Sequence, residues 1–375
     1  MEFLTTDTTR AEIDLTALIN NYHTMRAHVG QGVKACCVLK SNAYGHGAVE
    51  VARALERAGA DYFAVANCNE AYELRRAGIL APILVLGFSP VSAARGLVEN
   101  DITQCIYSFA EAQAFAEEVV KFGGKLRVHI KLDTGMSRLG FRAHGDEHDE
   151  LTSVVQVCQM DGLDVEGAFT HFSVADEADG REFTQLQYGR FLVALDYLRG
   201  KGVDFKIRHT CASAGAVAFP EYAMDMARHG LVLYGANPLE YDCPVSLEPV
   251  MTLKTVIAQI KDVYDGDDLC YGRTYKVGRK MKVATLPIGY GDGLLRNKGE
   301  GIAFTVNGRT APVVGRICMD QCIIDVTDID CAPGDEVIVF GKGGQSVEHL
   351  SSLSGTIPNE ILCRIPRRVA KIVKR

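Results

Sequence analysis

Val38-Leu39-Lys40-Ser41-Asn42-Ala43-Tyr44-Gly45-His46-Gly47 joins two segments of different period. The run from Val33 to Val38 is largely apolar and β-branched, and reads as a buried strand. From Ala48 to Ala58, the residues Val51, Ala52, Leu55 and Ala58 recur with helical spacing. Strand, glycine-punctuated turn and helix make one β/α unit, with Lys40 at the strand's C-terminal end.

The same alternation continues outward to about Gly235. Strands are predicted at 33–40, 62–66, 83–87, 102–107, 126–132, 165–172, 205–210 and 224–228, with helical stretches at 69–77, 110–122 and 183–199 between them. Eight units of this kind argue for an α/β fold, an N-terminal (β/α)8 TIM barrel over residues 10–240. Barrel enzymes place their chemistry at the C-terminal ends of strands, where Lys40 falls. After Tyr234 the texture changes. β-rich segments at 251–263, 282–287, 303–306, 311–314, 321–326 and 336–340 are separated by glycine-rich turns, and helices are missing until Leu350. Residues 241–375 therefore read as a mainly β C-terminal domain, on which the N-terminal strand within about residues 1–15 is expected to pack.

Bulk composition narrows the function. The chain has 375 residues, 47% of them hydrophobic, which favours two domains with an ample core. A net charge of −7 offers no basic face for nucleic acid. No window approaches a membrane span and the N-terminus lacks a signal-peptide core, so a cytoplasmic protein, or the soluble part of a longer membrane-anchored one, is expected. The twelve cysteines contain no C-x-x-C pair and no zinc-ribbon spacing; they fit a reducing compartment, with no metal called for.

A lysine ending a buried strand is costly unless its ammonium is paired or its pKa falls. Tyr44 and the adjacent helix start supply a phenol and phosphate-friendly N–H groups. Amine, phenol and phosphate cradle together suit a Schiff base with pyridoxal 5′-phosphate (PLP). Other strand ends carry further candidates. Arg138, in Lys131-Leu132-Asp133-Thr134-Gly135-Met136-Ser137-Arg138, can grip a carboxylate bidentately. Thr170-His171-Phe172 places a histidine at a strand end, and Ser213, after His209-Thr210-Cys211-Ala212, is expected to cap a short helix. In Arg228-His229-Gly230-Leu231, Gly230 permits close backbone approach, so its N–H and that of Leu231 are candidate phosphate donors.

The motif Lys40-Ser41-Asn42-Ala43-Tyr44-Gly45-His46-Gly47 after a strand resembles the PLP-attachment site of the bacterial alanine racemases, and the similarity runs over nearly the whole chain. It extends to Leu269-Cys270-Tyr271-Gly272-Arg273, Ile288-Gly289-Tyr290-Gly291-Asp292-Gly293 and Gly315-Arg316-Ile317-Cys318-Met319-Asp320-Gln321. The resemblance implies a fold-type III PLP enzyme that racemises L-alanine to D-alanine by a two-base mechanism, supplying D-amino acid for cell-wall precursors. It implies Lys40 as cofactor lysine and one base, with Tyr271 as the other base. A phenol, with pKa about 10, is a poor base at neutral pH, and Arg228 and His171 are the cations expected to lower it. The resemblance further implies cofactor contacts from Tyr44, His171, Ser213, Arg228, Gly230 and Leu231, and substrate contacts from Arg138, Met319 and Tyr290. Lys131 matches a lysine that is carbamylated in relatives. Arg228 resembles the arginine facing the ring nitrogen, which keeps that nitrogen unprotonated and favours racemisation over transamination. The implied partners are a small amino-acid substrate and a second copy of the chain, in a homodimer with shared sites. One departure stands out: in Ile365-Pro366-Arg367-Arg368-Val369, Arg367 occupies the place of the family's tyrosine. A serine or serine/alanine racemase is the alternative this leaves open. A non-catalytic PLP-binding protein would lack the second domain and Tyr271, and a fold-type III decarboxylase would carry an acid where Arg228 stands.

Overall fold

The computed structural model describes residues 8–145, 149–296 and 300–375. The first described strand, β1 (Arg10–Asp14), leads into a helix over Leu15–Val29 whose first turn is capped by Asp14, accepting from Ala17 N at 3.0 Å. Eight parallel strands follow: β2 (Lys34–Val38), β3 (Tyr62–Val65), β4 (Ile83–Val85), β5 (Ile102–Ile106), β6 (Leu126–Asp133), β8 (Leu163–Phe169), β9 (Ile207–His209) and β10 (Met226–His229). A two-residue strand, β7 (Phe141–Arg142), pairs with the end of β6. The ladder runs β10-β2-β3-β4-β5-β6-β8-β9. Strands β3 and β5 are buried at every residue, as expected of parallel strands covered by helices.

The ladder stops between β9 and β10, and the barrel is closed there by other means. Asp225 N donates to Arg208 O at 3.0 Å and Arg228 N to Cys211 O at 3.0 Å. The Arg208 guanidinium clasps the Asp225 carboxylate, with Nε at 2.7 Å. All eight expected barrel strands are present, with no end shifted by more than three residues. The α/β class follows the sequence reading.

The second domain is built on a six-stranded sheet in which β1 is an inner strand. It pairs antiparallel with β11 (Met251–Val256) and parallel with the terminal strand Ala370–Lys374. The β-rich segment expected over 251–263 is two strands in two sheets. At the corner, Ile257 N bonds Asp335 O at 2.9 Å and Ala258 N bonds Thr285 O at 2.9 Å, so the chain changes partners between one residue and the next. Strand Gln259–Val263 then joins Met281–Leu286 and Cys322–Asp325 in a three-stranded sheet. The terminal strand Ala370–Lys374 and the two-residue strands of the small hairpin, Asp268–Leu269 with Tyr275–Lys276, are not among the expected segments. The two domains meet at the lysine turn. Helix Pro358–Cys363 lies so close that a Cβ on Gly45 would fall 2.2 Å from Leu362 O.

Candidate active site

Lys40 stands two residues after the end of β2 and begins a turn of unusual hand. Ser41, Asn42, Ala43 and Tyr44 all have φ between 51° and 54°, a full turn of left-handed helix made of residues with Cβ atoms. Each costs roughly 1–2 kcal/mol relative to the right-handed form, so the surroundings must hold the turn. Ala43 N bonds Leu39 O at 2.8 Å and Gly45 N bonds Ser41 O at 3.0 Å. The buried His46 ring places Nδ1 2.9 Å from Tyr44 O and 3.0 Å from Ala43 O, which makes Nδ1 the protonated nitrogen. Asn42 Oδ1 accepts from Ala48 N at 2.8 Å and starts the next helix, while Glu70 reaches Ser41 N from the neighbouring unit at 2.7 Å. The Tyr44 ring leans on Tyr234, with centroids 4.9 Å apart, and Tyr234 donates to Val38 O at 2.8 Å.

The turn presents Lys40 and Tyr44 to a cavity of about 260 Å³ at the C-terminal mouth of the barrel, which Lys131, Arg138, His171, Ser213, Arg228 and Gly230 also line. Burial first, and then the charge of Arg138, lower the Lys40 pKa and favour its neutral amine. Burial brings Lys131 down to about 8. Asp133 shapes the loop that carries Arg138, accepting from Gly135 N at 3.0 Å and Ser137 N at 2.9 Å.

At one end of the cavity, the Gly230 N–H donates to Ser213 Oγ at 2.9 Å. A Cβ on Gly230 would stand 2.8 Å from Tyr44 Oη and 3.4 Å from Ser213 Oγ. Two hydroxyls and a backbone amide thus converge on a space that only glycine leaves open, and this suits a phosphate group. Ser213 is not the helix cap expected from sequence: it is the first residue of helix Ser213–Ala218, the cap position belongs to Ala212, and the serine hydroxyl turns to Gly230 instead. Leu231 begins the following short 3-10 helix beside this cradle.

Arg228 forms the inner wall, buried to 3% exposure. Burial draws its pKa down to about 10, so it remains charged at neutral pH. Its Nη2 donates to Thr170 O at 2.9 Å and Thr210 O at 2.8 Å, and lies 3.2 Å from His171 Nδ1. Its Nη1 meets His209 Nδ1 at 2.7 Å. Arginine only donates, so His209 Nδ1 accepts and its proton sits on Nε2, which faces His129 Nδ1 at 2.9 Å. His129 Nε2 then donates to Glu166 Oε2 at 3.0 Å. A one-way chain of donors therefore crosses the barrel core from Arg228 to Glu166. Burial, with Arg228 beside it, holds His209 well below its ordinary pKa. Burial opposes the charge on Glu166, but His129, Tyr62 and Arg127 more than offset it and keep the carboxyl low. His171 is likewise neutral: burial and the charges of Arg228, Lys131 and Arg138 drive its pKa far down. It is therefore not the cation that the sequence reading set beside a tyrosine.

Tyr271, Tyr290 and Met319 are brought together, but elsewhere. With Arg296, Arg316 and Asp320 they line a separate hollow of about 630 Å³ on the second domain, and none of them lines the Lys40 cavity. Tyr271 is 72% exposed and Met319 54%. Arg368 braces this hollow, its Nε 2.7 Å from Asp292 Oδ1 and its Nη2 2.8 Å from Asp320 Oδ1. Arg367 is exposed and lines neither cavity.

Sequence reasoning missed Glu70, His129 and Glu166. Asn67-x-x-Glu70 carried the signature of a helix-capping pair, and Asn67 Oδ1 does accept from Glu70 N at 3.1 Å. Glu70 reaches past the cap to other backbone, which no local pattern announces. The chain from Arg228 through the two histidines to Glu166 joins four separate strands and has no sequence signature.

Comparison with known proteins agrees with this architecture. The family "Alanine racemase, N-terminal domain" matches residues 13–238 and "Alanine racemase, C-terminal domain" matches residues 250–373. An alanine racemase of Methanococcus maripaludis is 41% identical over 368 residues, covering 96% of this chain and 97% of its own. One from Desulforamulus reducens is also 41% identical, over 96% and 98%. The structure of alanine racemase from Clostridium difficile 630 superposes with a TM-score of 0.91 at 39% identity, covering 98% of this chain and 96% of that one. The Bacillus anthracis alanine racemase with bound L-Ala-P gives 0.90 at 36%, over 98% and 95%. Matched along both domains, in sequence and in three dimensions, the chain belongs to the alanine racemase family.

Proposed function

We propose that the chain interconverts L- and D-alanine with PLP held on Lys40, in a homodimer whose sites are shared. One observation carries this reading: the Lys40 amine, the Tyr44–Ser213–Gly230 cradle and the buried Arg228 converge in one cavity, while Tyr271 stands exposed in another. The cofactor, when bound, supplies an electron-withdrawing ring next to the substrate's Cα. Tyr44, Ser213 and the N–H groups of Gly230 and Leu231 hold its phosphate. The neutral His171 offers a flat face, and Arg138 receives the substrate carboxylate. Arg228, charged and unable to accept a proton, leaves the ring nitrogen unprotonated.

Racemisation removes a proton from one face of Cα and returns one to the other. Lys40, whose surroundings favour the neutral amine, takes or gives the proton at Nζ on one face. Tyr271 of a second copy does so at Oη on the opposite face, with Met319 and Tyr290 of that copy closing over the substrate. Carbamylation of Lys131 would turn a cation beside Arg138 into an anion that steadies the guanidinium.

Mixing inactive Lys40→Ala and Tyr271→Phe proteins under subunit exchange tests the arrangement. One intact site per hybrid dimer predicts recovery of about a quarter of wild-type activity at equal mixing. No recovery, with hybrids verified by mass, would mean that both bases come from one chain.

A further inference from the structure

The left-handed turn after Lys40 is held at several points, and one of them comes from outside the turn. Glu70 sits in the first turn of helix Cys68–Arg76, half-buried. One of its carboxylate oxygens accepts from Ser41 N at 2.7 Å, and the other accepts from Ala66 N at 2.8 Å. Ala66 directly follows β3, and Ser41 directly follows Lys40. A single side chain therefore ties the ends of two neighbouring barrel strands together at the residue next to the lysine. The Ser41 amide heads a backbone that its own Cβ atoms disfavour, and it is satisfied only by this carboxylate among the described hydrogen bonds.

We propose that Glu70 is a positioning residue for Lys40: by binding the Ser41 amide it holds the left-handed turn and so fixes where the lysine amine stands in the cavity. This rests on the assignment of Lys40 as the cofactor lysine. Without Glu70, the turn relaxes toward ordinary backbone and the amine leaves its place. The molecule also supplies a control. Glu56 also accepts two backbone hydrogen bonds, from Leu80 N at 2.7 Å and Ala81 N at 2.8 Å, both on one carboxylate oxygen, but at the opposite end of the barrel, ahead of β4. Its loss weakens the fold without touching the turn.

The experiment compares wild type, Glu70→Ala, Glu70→Gln and Glu56→Ala by PLP titration, visible absorption of the bound cofactor, and borohydride reduction followed by peptide mapping. Expected for Glu70→Ala is a loss of PLP affinity of about tenfold or more and a lower fraction trapped on Lys40. Glu70→Gln, which keeps one accepting oxygen, falls between. Glu56→Ala loses melting temperature yet matches wild type in affinity, band and trapping. Wild-type trapping on Lys40 with Glu70→Ala unaltered overturns this inference alone, as does an equal cofactor defect in Glu56→Ala. If Glu70→Ala does not fold, a wild-type affinity in Glu70→Gln decides against it. A wild-type label on any residue other than Lys40 overturns both the lysine assignment and this inference.

Discussion

Gly230 carries the cofactor argument in a single missing carbon. A methyl there stands 2.8 Å from the Tyr44 hydroxyl and occupies the cradle. Gly230→Ala is expected to weaken PLP binding about tenfold or more, because its methyl fills the space between Tyr44 and Ser213. Equilibrium titration of the apoprotein measures this. Lys131 makes a prediction in pH. Its pKa is about 8, set first by burial, and only the neutral amine reacts with carbon dioxide. A carbamate should therefore grow in between about pH 7 and 9 and fade below, seen as a carbonyl signal after ¹³C-bicarbonate that Lys131→Ala abolishes. Of the site, the strand-end residues were legible in sequence because barrels put chemistry at strand ends. Glu70 and Glu166 were not, because each acts through atoms supplied by a neighbouring strand.

At the scale of elements, β1 is the piece that binds the chain's start to its second domain. Ile13 is fully buried between β11 and the terminal strand, and Ile13→Ala should cost about 2–4 kcal/mol in denaturant unfolding. Glu12, on the same strand, faces Lys254 at 3.2 Å and also Lys374. Burial opposes its charge, but the two ammonium groups outweigh burial and lower its pKa. A carboxyl lowered on folding adds stability above its unfolded pKa of about 4.3 and loses it as pH falls through the folded value. Glu12→Gln should therefore reduce stability at neutral pH and flatten the acid limb of the stability curve. The eight barrel strands could be read because they are short, apolar and evenly spaced. Residues 251–263 read as one β-rich segment because hydropathy is continuous across Ile257 and Ala258, where the hydrogen-bond partners change. The left-handed turn was invisible, since Ser, Asn, Ala and Tyr give no local reason to adopt that hand.

The whole molecule is coupled where the second domain presses on the lysine turn. Gly45, at φ 81°, has no room for a side chain beside Leu362 O. Gly45→Ala must adopt a disfavoured backbone and displace helix Pro358–Cys363, at a cost of roughly 2 kcal/mol or more. The expected result is a lower melting temperature together with weaker cofactor retention, because both domains share that contact. A variant that melts lower but keeps PLP at wild-type affinity would show that the barrel holds its lysine unaided.

The sheet that includes β1 also has a consequence for how the protein is made. Arg10 pairs with Lys254 on one side and Ala370 on the other, and Ile13 with Val373. At synthesis rates of roughly 5–20 residues per second, the first strand leaves the ribosome some tens of seconds before its last neighbour exists. Throughout that interval it is an alternating strand, Ala11 and Ile13 between charged neighbours, with both edges open and free to find a wrong partner on another nascent chain. The newborn chain can assemble its barrel early, but Arg10–Asp14 must wait for Ala370–Lys374 before it has a permanent place.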